Sequence, residues 1–324
     1  MTLKENPTIS MPQSPDKTPL VSVVCHTFDH VNFISKTIES LLNQKTDFLF
    51  EIIVHDDAST DGTKAIVAEY YEKYPNIIVP IYQKENRHSK KINIWTHFTF
   101  PAARGKYIAL CEGDDYWTDE HKLQTQVEFL EQNEDFSICW TNYTIKKGNT
   151  FRESNLNISQ EYFKIDLNNI FDPYCTMSLT CVFRKDRLFL DQLDGLKRFK
   201  DNSLYLLLLK NGDGMFINKK TSVYRIHDGG VFSLKSFFFQ QYSSYLNIKE
   251  LYDQDLAFQN DNIKKTLRNL LQNAAFEAVD VFFTNRSEFT KDMKHVVWHY
   301  FFQSSVKLKI RFIKRIAKKA FKIK

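Results

Sequence analysis

Apolar positions in the first 140 residues follow two alternating periods, which predict strands and helices in turn. Uninterrupted apolar and β-branched runs such as "LVSVVCHT" and "FEIIVHDD" are typical of strands buried on both faces. Between them, "VNFISKTIESLLNQ" places its apolar residues at helical spacing. The alternation continues with "NIIVPIYQ", "KYIALCEGDD" and "FSICWTNY" as strands, and with "STDGTKAIVAEYYEKY" and "TDEHKLQTQVEFLEQN" as helices. This pattern predicts an α/β fold, a Rossmann-like, mostly parallel sheet flanked by helices.

The second half of the chain is predicted to add a few further elements and then to become helical. "CTMSLTCVFRKD" is typical of a strand, "SLYLLLLKNG" of a buried helix, and "GMFINKKTSVYRIHDGG" of a pair of strands. The polar, proline-punctuated residues 1–18 are predicted to be a disordered lead, before an α/β domain over residues 19–233. A helical C-terminal region over residues 234–305 and a basic amphipathic tail over residues 306–324 complete the predicted organisation.

Composition is that of an ordinary globular chain and excludes some classes of protein. Of its 324 residues, 43% are hydrophobic and 26% are charged, and no apolar run is long enough for a membrane-spanning helix. The N-terminal segment lacks the apolar core of a secretion signal. The five cysteines are scattered without CxxC spacing, which favours reduced thiols in a cytosolic protein over disulfides or a zinc site.

Positive charge is concentrated at the C-terminus. The net charge is +5, yet the nine Lys and Arg residues after residue 305 leave 35 basic against 39 acidic residues elsewhere. Helical spacing places the tail's apolar residues on one stripe: Val306, Ile310, Ile313, Ile316, Ala317 and Ala320. The basic residues fall mostly opposite: Lys307, Arg311, Lys314, Arg315, Lys318, Lys319 and Lys322. Such a helix is predicted to lie on an anionic membrane surface, with a solvated or partner-binding helix as the alternative. The acidic body argues against a nucleic-acid partner.

Three predicted strands end in polar or acidic residues. Their ends read "HTFD", "HDDASTDGT" and "CEGDD", and the carboxyl ends of parallel strands meet at one edge of a sheet, where ligands bind. Glu112 and Asp114 are separated by one residue, so an extended segment points both the same way. Hard carboxylate oxygens suit Mg²⁺ or Mn²⁺, with the shell completed by water and phosphates. Neither a GxxxxGK[ST] loop nor a GxGxxG motif is present.

These segments, in this order, resemble the family 2 glycosyltransferases, which have the glycosyltransferase A-type fold and use nucleotide-diphosphate sugars. "VSVVCHTFDHVNFISKTIESLLNQ" resembles that family's first strand and helix, and "FEIIVHDDASTDGT" its second strand and nucleotide loop. "ARGKYIALCEGDDYW" is similar to its metal-binding strand end, and "VYRIHDGG" to its late Arg–x–His segment. The resemblance covers residues 19–233, which it implies are the catalytic domain.

The resemblance implies roles for individual residues. Thr27, Asp29 and Asp57 would line the nucleotide pocket, with Asp57 accepting a hydrogen bond from the base. Glu112 and Asp114 stand at the family's DxD pair, with a longer Glu at the first position, and His227 would complete the metal or diphosphate shell. Three basic residues would neutralise phosphate charge: Arg87, Lys90 and Arg225.

The general base of the reaction is assigned by the same resemblance. Asp201, before the buried helix "SLYLLLL", occupies the place of the family's catalytic Asp, although its neighbours Lys200 and Asn202 depart from the family pattern. Asp201 could instead be the N-cap of the following helix. Asp115 is expected to be structural, and His26 is expected to have no functional partner.

Together these expectations describe an inverting, divalent-cation-dependent glycosyltransferase. It would move a sugar from a nucleotide-diphosphate donor to a glycan or lipid-linked hydroxyl in bacterial surface polysaccharide biosynthesis. The implied location is the cytoplasm, peripherally at the inner face of the cell membrane. Two alternatives remain: a metal-dependent nucleotidyltransferase, and a degenerate accessory protein that binds sugar nucleotide without turnover.

Overall fold

The computed structural model describes residues 8–9, 18–154, 156, 158–230 and 235–321. The strands are β1 (Thr8–Ile9), β2 (Val21–Thr27), β3 (Phe50–Asp56), β4 (Ile78–Tyr82), β5 (Tyr107–Leu110), β6 (Tyr116–Trp117), β7 (Phe136–Lys147), β8 (Thr150–Glu153), β9 (Tyr162–Ile165), β10 (Val182–Arg184) and β11 (Asp213–Ile226). The α-helices are α1 (Ile34–Leu42), α2 (Thr63–Lys73), α3 (Phe100–Ala102), α4 (Lys122–Gln132), α5 (Leu190–Asp194), α6 (Asp201–Lys210), α7 (Phe237–Gln254), α8 (Asp261–Thr284), α9 (Lys291–Gln303) and α10 (Val306–Phe321). A π-helix (Trp95–Thr99) precedes α3, and four 3₁₀ turns lie at Ser178–Thr180, Lys185–Arg187, Leu256–Phe258 and Arg286–Glu288.

One sheet contains all of these strands, in the order β1-β4-β3-β2-β5-β10-β7-β11-β6, with β8 on β7 and β9 on β11. Strands β4, β3, β2 and β5 are parallel, as the alternating pattern predicts. Strand β10 is antiparallel to β5 and β7, while β7 and β11 are parallel. The α/β fold expected from the sequence is therefore present, and its sheet is mixed.

The centre of the sheet is buried on both faces. Every residue of β2 is buried, and β3 is buried from its second residue onward. The amphipathic helix α1 turns Ile34, Ile38 and Leu41 into the same core. The five cysteines are all buried and unpaired, which agrees with the predicted reduced thiols. Continuous apolar runs are what such strands need, because neither face reaches water.

One local expectation, about the strands, is wrong. Residues 213–226 form one long strand, with register shifts between Ile217 and Ser222, instead of the predicted pair. The segment lacks a turn dipeptide such as Asn-Gly, and the parallel partner β7 runs alongside its whole length. In the predicted disordered lead, Thr8 and Ile9 pair with the edge strand β4, while the lead's residues 1–7 and 10–17 lie outside the described residues.

The chain divides into two compact units, Met1–His227 and Asp228–Lys324. This boundary lies close to the predicted end of the α/β domain at residue 233. The described part of the second unit is helical, with α7, α8, α9 and α10 as its long helices, as the sequence predicts. None of the helices over the described residues combines the length and hydropathy that a membrane span requires.

Candidate active site

The ends of β2, β3 and β5 meet at one edge of the sheet, as the acidic strand ends predict. The backbone N–H of Asp57 donates to the carbonyl of Thr27 (3.0 Å), which joins the ends of β3 and β2. The N–H of Gly113 donates to the carbonyl of His26 (2.8 Å), which joins the segment after β5 to the end of β2. The loop of residues 112–115, called the acidic loop below, therefore lies directly beside the end of β2.

Arg225, which lies in β11 about 110 residues further along the chain, holds the acidic loop in place. Its backbone N–H donates to Asp115 Oδ1 (2.8 Å), and its guanidinium donates to the Asp114 carbonyl and to Thr37 Oγ1 (3.0 Å). The guanidinium also stacks over Phe33 (4.8 Å to the ring centroid). Arg225 was expected to neutralise phosphate charge, and the structure shows that its guanidinium fastens the acidic loop to α1.

Asp114 is paired with two histidines. Its Oδ2 lies 3.0 Å from His227 Nε2 and 3.8 Å from His30 Nε2. Burial opposes ionisation, but the hydrogen bond from His227 and the nearby His30 hold the Asp114 pKa below its ordinary value. Asp115 is buried, and burial together with the Asp114 charge raises its pKa well above normal. The loop thus contains one ionised, accessible carboxylate at Asp114 and one structural carboxyl group at Asp115.

Glu112 has a partner that the sequence did not reveal. Its Oε2 lies 3.7 Å from His26 Nδ1, and His26 Nε2 lies 3.2 Å from Thr99 Oγ1. The His26 ring stacks on Trp95 of the π-helix (5.6 Å between centroids). His26 was expected to lack a partner because nothing near it in sequence suggests one. The three partners named here, Trp95, Thr99 and Glu112, lie about 70 or more positions away along the chain.

Asp29 and Thr27 lie at the same edge, where they were expected. Asp29 adopts a left-handed conformation (φ 53°), and its Oδ1 accepts a hydrogen bond from the Thr60 N–H (2.7 Å). This bond ties the loop after β2 to the loop after β3. Thr27 Oγ1 is buried and has no hydrogen-bond partner among the described residues, so it is a polar atom that a bound ligand could satisfy.

Asp57 organises the loop that contains two of the predicted phosphate ligands. Its two carboxylate oxygens accept hydrogen bonds from the backbone N–H groups of Arg87 (2.8 Å) and His88 (3.0 Å). The Arg87 guanidinium is buried and pairs with Glu85, and Lys90 pairs with the same Glu85. The structure therefore brings Arg87 to Asp57 through the main chain, while both basic side chains are engaged by a neighbouring acid.

Asp201 is the first residue of α6 and not its N-cap. The N-cap is Lys200, whose backbone N–H donates to Ser203 Oγ (3.4 Å), while Asp201 Oδ1 accepts from the Asn202 N–H (2.9 Å). Burial raises the pKa of Asp201, and the negative charge of Glu112 raises it further. Asp201 is thus a half-buried carboxyl group whose ionisation is influenced by the charge of Glu112.

The site has the donor chemistry for a divalent cation. Asp114 and His227 offer an oxygen and a nitrogen ligand whose atoms already converge, 3.0 Å apart. Among the described residues, no three His, Cys, Asp or Glu side chains are arranged to bind a metal ion. A cation held by few protein ligands, with its remaining positions filled by water and substrate phosphates, fits these residues.

Several proteins are similar in sequence to this chain. The putative teichuronic acid biosynthesis glycosyltransferase TuaG of Bacillus subtilis is 28% identical over 218 residues, which is 67% of this chain and 83% of TuaG. An uncharacterized Mycobacterium tuberculosis protein is 38% identical over 122 residues, 37% of this chain. The aligned segment spans 34% of that relative's length.

Solved structures share the fold at low identity. S. aureus TarS residues 1–349, in complex with UDP-GlcNAc, superposes with a TM-score of 0.56 at 18% identity, covering 92% of this chain and 80% of that one. The mannosyltransferase PcManGT from Pyrobaculum calidifontis, in complex with GDP-Man and Mn²⁺, gives 0.54 at 12% identity, covering 98% and 88%.

The sequence model described as glycosyl transferase family 2 matches residues 22–189, more than half of the chain. This span includes the ends of β2, β3 and β5 and the acidic loop, and ends before Asp201, Arg225 and His227. The match, the fold and the converging strand ends agree. The chain belongs to glycosyl transferase family 2 and has the glycosyltransferase A-type fold.

Proposed function

We propose that this protein transfers a sugar, with inversion, from a nucleotide-diphosphate donor to a hydroxyl group of a glycan or lipid-linked acceptor. One observation carries the proposal: three strand ends bring Asp57, Glu112 and Asp114 to one edge of the sheet, with His227 on Asp114. In this arrangement Thr27, Asp29 and Asp57 line the nucleotide side of the site. Glu112 and Asp114 face the ribose and diphosphate.

Asp114 and His227, with Glu112 as a further candidate ligand, would hold a divalent cation, Mg²⁺ or Mn²⁺, that stabilises negative charge on the departing diphosphate. The protein's own contribution is to keep the Asp114 carboxylate ionised. The His227 hydrogen bond and the nearby His30 lower its pKa despite burial, so the ligand is ready at neutral pH. Arg225 contributes by fixing the backbone on which Asp114 stands.

Asp201 would be the general base. Its carboxylate takes the proton of the acceptor hydroxyl as that oxygen bonds to the anomeric carbon and the bond to the donor's diphosphate oxygen breaks. Attack opposite the leaving group inverts the anomeric centre. The raised pKa of Asp201 makes it a stronger base than an exposed aspartate, which suits this role near neutral pH.

The named relatives support a role in bacterial surface polysaccharide biosynthesis. TuaG is named for teichuronic acid biosynthesis. Another relative, E. coli WfaP, is named a UDP-Glc:alpha-D-GlcNAc-diphosphoundecaprenol beta-1,3-glucosyltransferase and is 33% identical over 128 residues, 40% of this chain and 47% of WfaP. The WfaP name states a UDP-Glc donor and a diphosphoundecaprenol-linked acceptor, the class of donor and acceptor that we propose here.

The test is release of nucleoside diphosphate from a panel of sugar nucleotides with Mn²⁺ or Mg²⁺ and a lipid-linked or glycan acceptor. We expect release with one donor, loss of release on chelation, and loss in Asp114→Ala and Asp201→Ala. The exposed Asp191→Ala is the matched control and should behave like the parent protein. Release of pyrophosphate would instead identify a nucleotidyltransferase, and binding without turnover would identify an accessory protein.

We also propose that the protein works in the cytoplasm, at the inner face of the cell membrane. The support is the basic amphipathic helix α10, whose charge would attract it to anionic lipids by about 1 kcal/mol per basic residue near the surface. Deleting residues 306–324 should release the protein from anionic vesicles at low salt. Co-sedimentation of the truncated protein equal to that of the full chain would contradict a membrane contact through this helix.

A further inference from the structure

Helix α10 has three faces, one of which is used inside the C-terminal unit. Phe312 is buried and stacks on Phe276 of α8 (5.6 Å between centroids). Arg315 and Lys319 both pair with Asp280 of α8, at 2.7 and 3.2 Å. The predicted two-faced helix is therefore corrected in one respect, because two of its basic residues serve this packed face.

A second face of α10 is apolar and open to solvent. Val306 is 73% exposed, Ile310 49% and Ile313 52%. At about 100° per residue these positions cluster on one stripe, roughly 120° around the helix from Phe312. Packing on α8 therefore leaves the apolar stripe exposed. An exposed apolar patch of this kind is typical of a surface that binds a partner or a membrane.

The third face is basic and borders that stripe. Lys307, Arg311, Lys314 and Lys318 follow one another at helical spacing, on the side of the stripe away from the packed face. Among the described residues none of these four has an ion-pair partner within 4.0 Å. Lys322, which the sequence pattern adds to this face, lies outside the described residues.

The end of α9 extends the apolar stripe with aromatic rings. Trp298 and Phe302 are 52% and 69% exposed and stack on each other, with centroids 5.8 Å apart. Phe301 packs edge-on against both rings. Lys309 of α10, which lies beside the stripe on the helix, places its Nζ 5.5 Å from the Phe301 ring centroid. The aromatic cluster thus joins the stripe along its edge.

We propose that this combined surface, the aromatic end of α9 with the apolar stripe of α10, docks in the interfacial region of a bilayer containing anionic lipid. Trp and Phe rings suit the boundary between headgroups and acyl chains, and the basic face supplies attraction to lipid phosphates. The neighbouring positive charge selects a lipid surface over an apolar protein groove. The inference rests on the proposed membrane association and adds α9, which lies outside the tail.

The test uses the full chain and co-sedimentation with vesicles of phosphatidylcholine alone or mixed with phosphatidylglycerol. We expect Trp298→Ser/Phe302→Ser and Ile310→Ser/Ile313→Ser each to weaken partitioning into mixed vesicles at least about tenfold, because each pair removes two apolar anchors. Arg311→Gln/Lys314→Gln should reduce binding to mixed vesicles only. Circular dichroism confirms that each variant is folded.

Matched controls remove the same kinds of residue at positions outside the proposed membrane surface. Leu256→Ser removes an 81% exposed apolar residue elsewhere in the same unit and should bind like the parent protein. Lys264→Gln/Arg268→Gln removes two exposed charges of α8, near Leu308 on the side of α10 away from the stripe, and should also leave binding unchanged.

Other outcomes would overturn the proposal. Unaltered vesicle binding by Trp298→Ser/Phe302→Ser would show that α9 is not part of the membrane-binding surface, even if deletion of the tail releases the protein. If the parent protein ignores vesicles and forms a dimer that Ile310→Ser/Ile313→Ser dissociates, the surface binds a second copy instead. The assay contains no sugar nucleotide, so its result is independent of whether the proposed transferase activity is found.

Discussion

At the scale of residues, the two adjacent aspartates of the acidic loop lie in different environments. Asp114 is accessible and has a lowered pKa, whereas Asp115 is buried and accepts a hydrogen bond from the Arg225 N–H. We therefore expect substitutions at these two neighbours to have different effects, although the sequence "EGDD" presents the two as alike.

Asp114→Asn should reduce kcat/KM for sugar transfer by roughly 100-fold or more, because it removes the charge that would hold the cation. Its thermal stability should change little. Nucleoside diphosphate release and a melting curve test both statements. Activity within about threefold of the parent protein would exclude Asp114 from the metal site.

Asp115→Ala should act mainly on stability. It leaves the partly buried Arg225 N–H without its acceptor, which costs about 1–3 kcal/mol. Urea unfolding measures this loss, and Asp191→Ala on the surface serves as the control. An unchanged free energy of unfolding would show that water or a shifted loop replaces the bond.

The pH profile tests Asp201 as the general base. A base must be deprotonated, so kcat/KM should fall as pH drops through its pKa, which burial and Glu112 raise above the ordinary value near 4. We expect the acid limb of the profile above pH 4 and its disappearance, with most of the activity, in Asp201→Asn. An acid limb that persists in Asp201→Asn with substantial activity would assign the base elsewhere.

At the scale of elements, the approach of the acidic loop to β2 depends on a glycine. A Cβ on Gly113 would lie 2.8 Å from Thr27 Cβ and 2.9 Å from His30 Nδ1, both too close for carbon contacts. The loop can therefore approach β2 this closely only if the residue at this position has no side chain. The buried Thr27 Oγ1, which has no hydrogen-bond partner among the described residues, lies at the same point.

Gly113→Ala should push the acidic loop away from β2, with a cost of about 1–3 kcal/mol in stability and a weaker affinity for the sugar nucleotide. Calorimetric titration of the donor and urea unfolding check the two effects. Gly195→Ala is the control, because its Cβ would meet only a carbonyl oxygen at 3.4 Å. Unchanged donor affinity in Gly113→Ala would show that the loop tolerates the shift.

The strands and strand-end residues could be predicted because apolar runs are a local signal. The π-helix at Trp95–Thr99 and the unbroken β11 could not, since long-range pairing with β7 decides whether residues 213–226 turn or continue. The roles of His26 and His30 were equally hidden, because their partners Glu112 and Asp114 lie more than 80 positions away. Arg225 was found from the family pattern, but its contacts with main-chain carbonyls are visible only in three dimensions.

At the scale of the whole molecule, charge and packing are divided between two compact units. The acidic strand ends belong to the first, and the basic helix α10 to the second. Because α10 buries Phe312 against Phe276 and Tyr300, it is both part of the second unit's core and its proposed membrane surface. Removing the tail therefore removes part of the second unit's core together with the proposed membrane surface. Substitutions at exposed positions of α10 change only the surface.

A chain ending at residue 305 should unfold its C-terminal unit more readily, since it loses the burial of Phe312, worth about 1.5–3 kcal/mol. Scanning calorimetry should show a lower transition for that unit. The Ile310→Ser/Ile313→Ser protein, whose substitutions are exposed, should keep the parent transition. Equal transitions in the parent and truncated proteins would show that α10 adds nothing to the unit's stability.

The long sequence separation between Arg225 and the acidic loop determines when, during synthesis, the loop can be held in place. The acidic loop is held by a residue 110 positions further along the chain, from β11, and its Asp114 by His227 two residues later. During synthesis, β2, β3 and β5 leave the ribosome well before either residue does. The nascent chain therefore carries these carboxylates without Arg225 and His227 until β11 and the residue after it emerge, so the contacts that hold the acidic loop form only then.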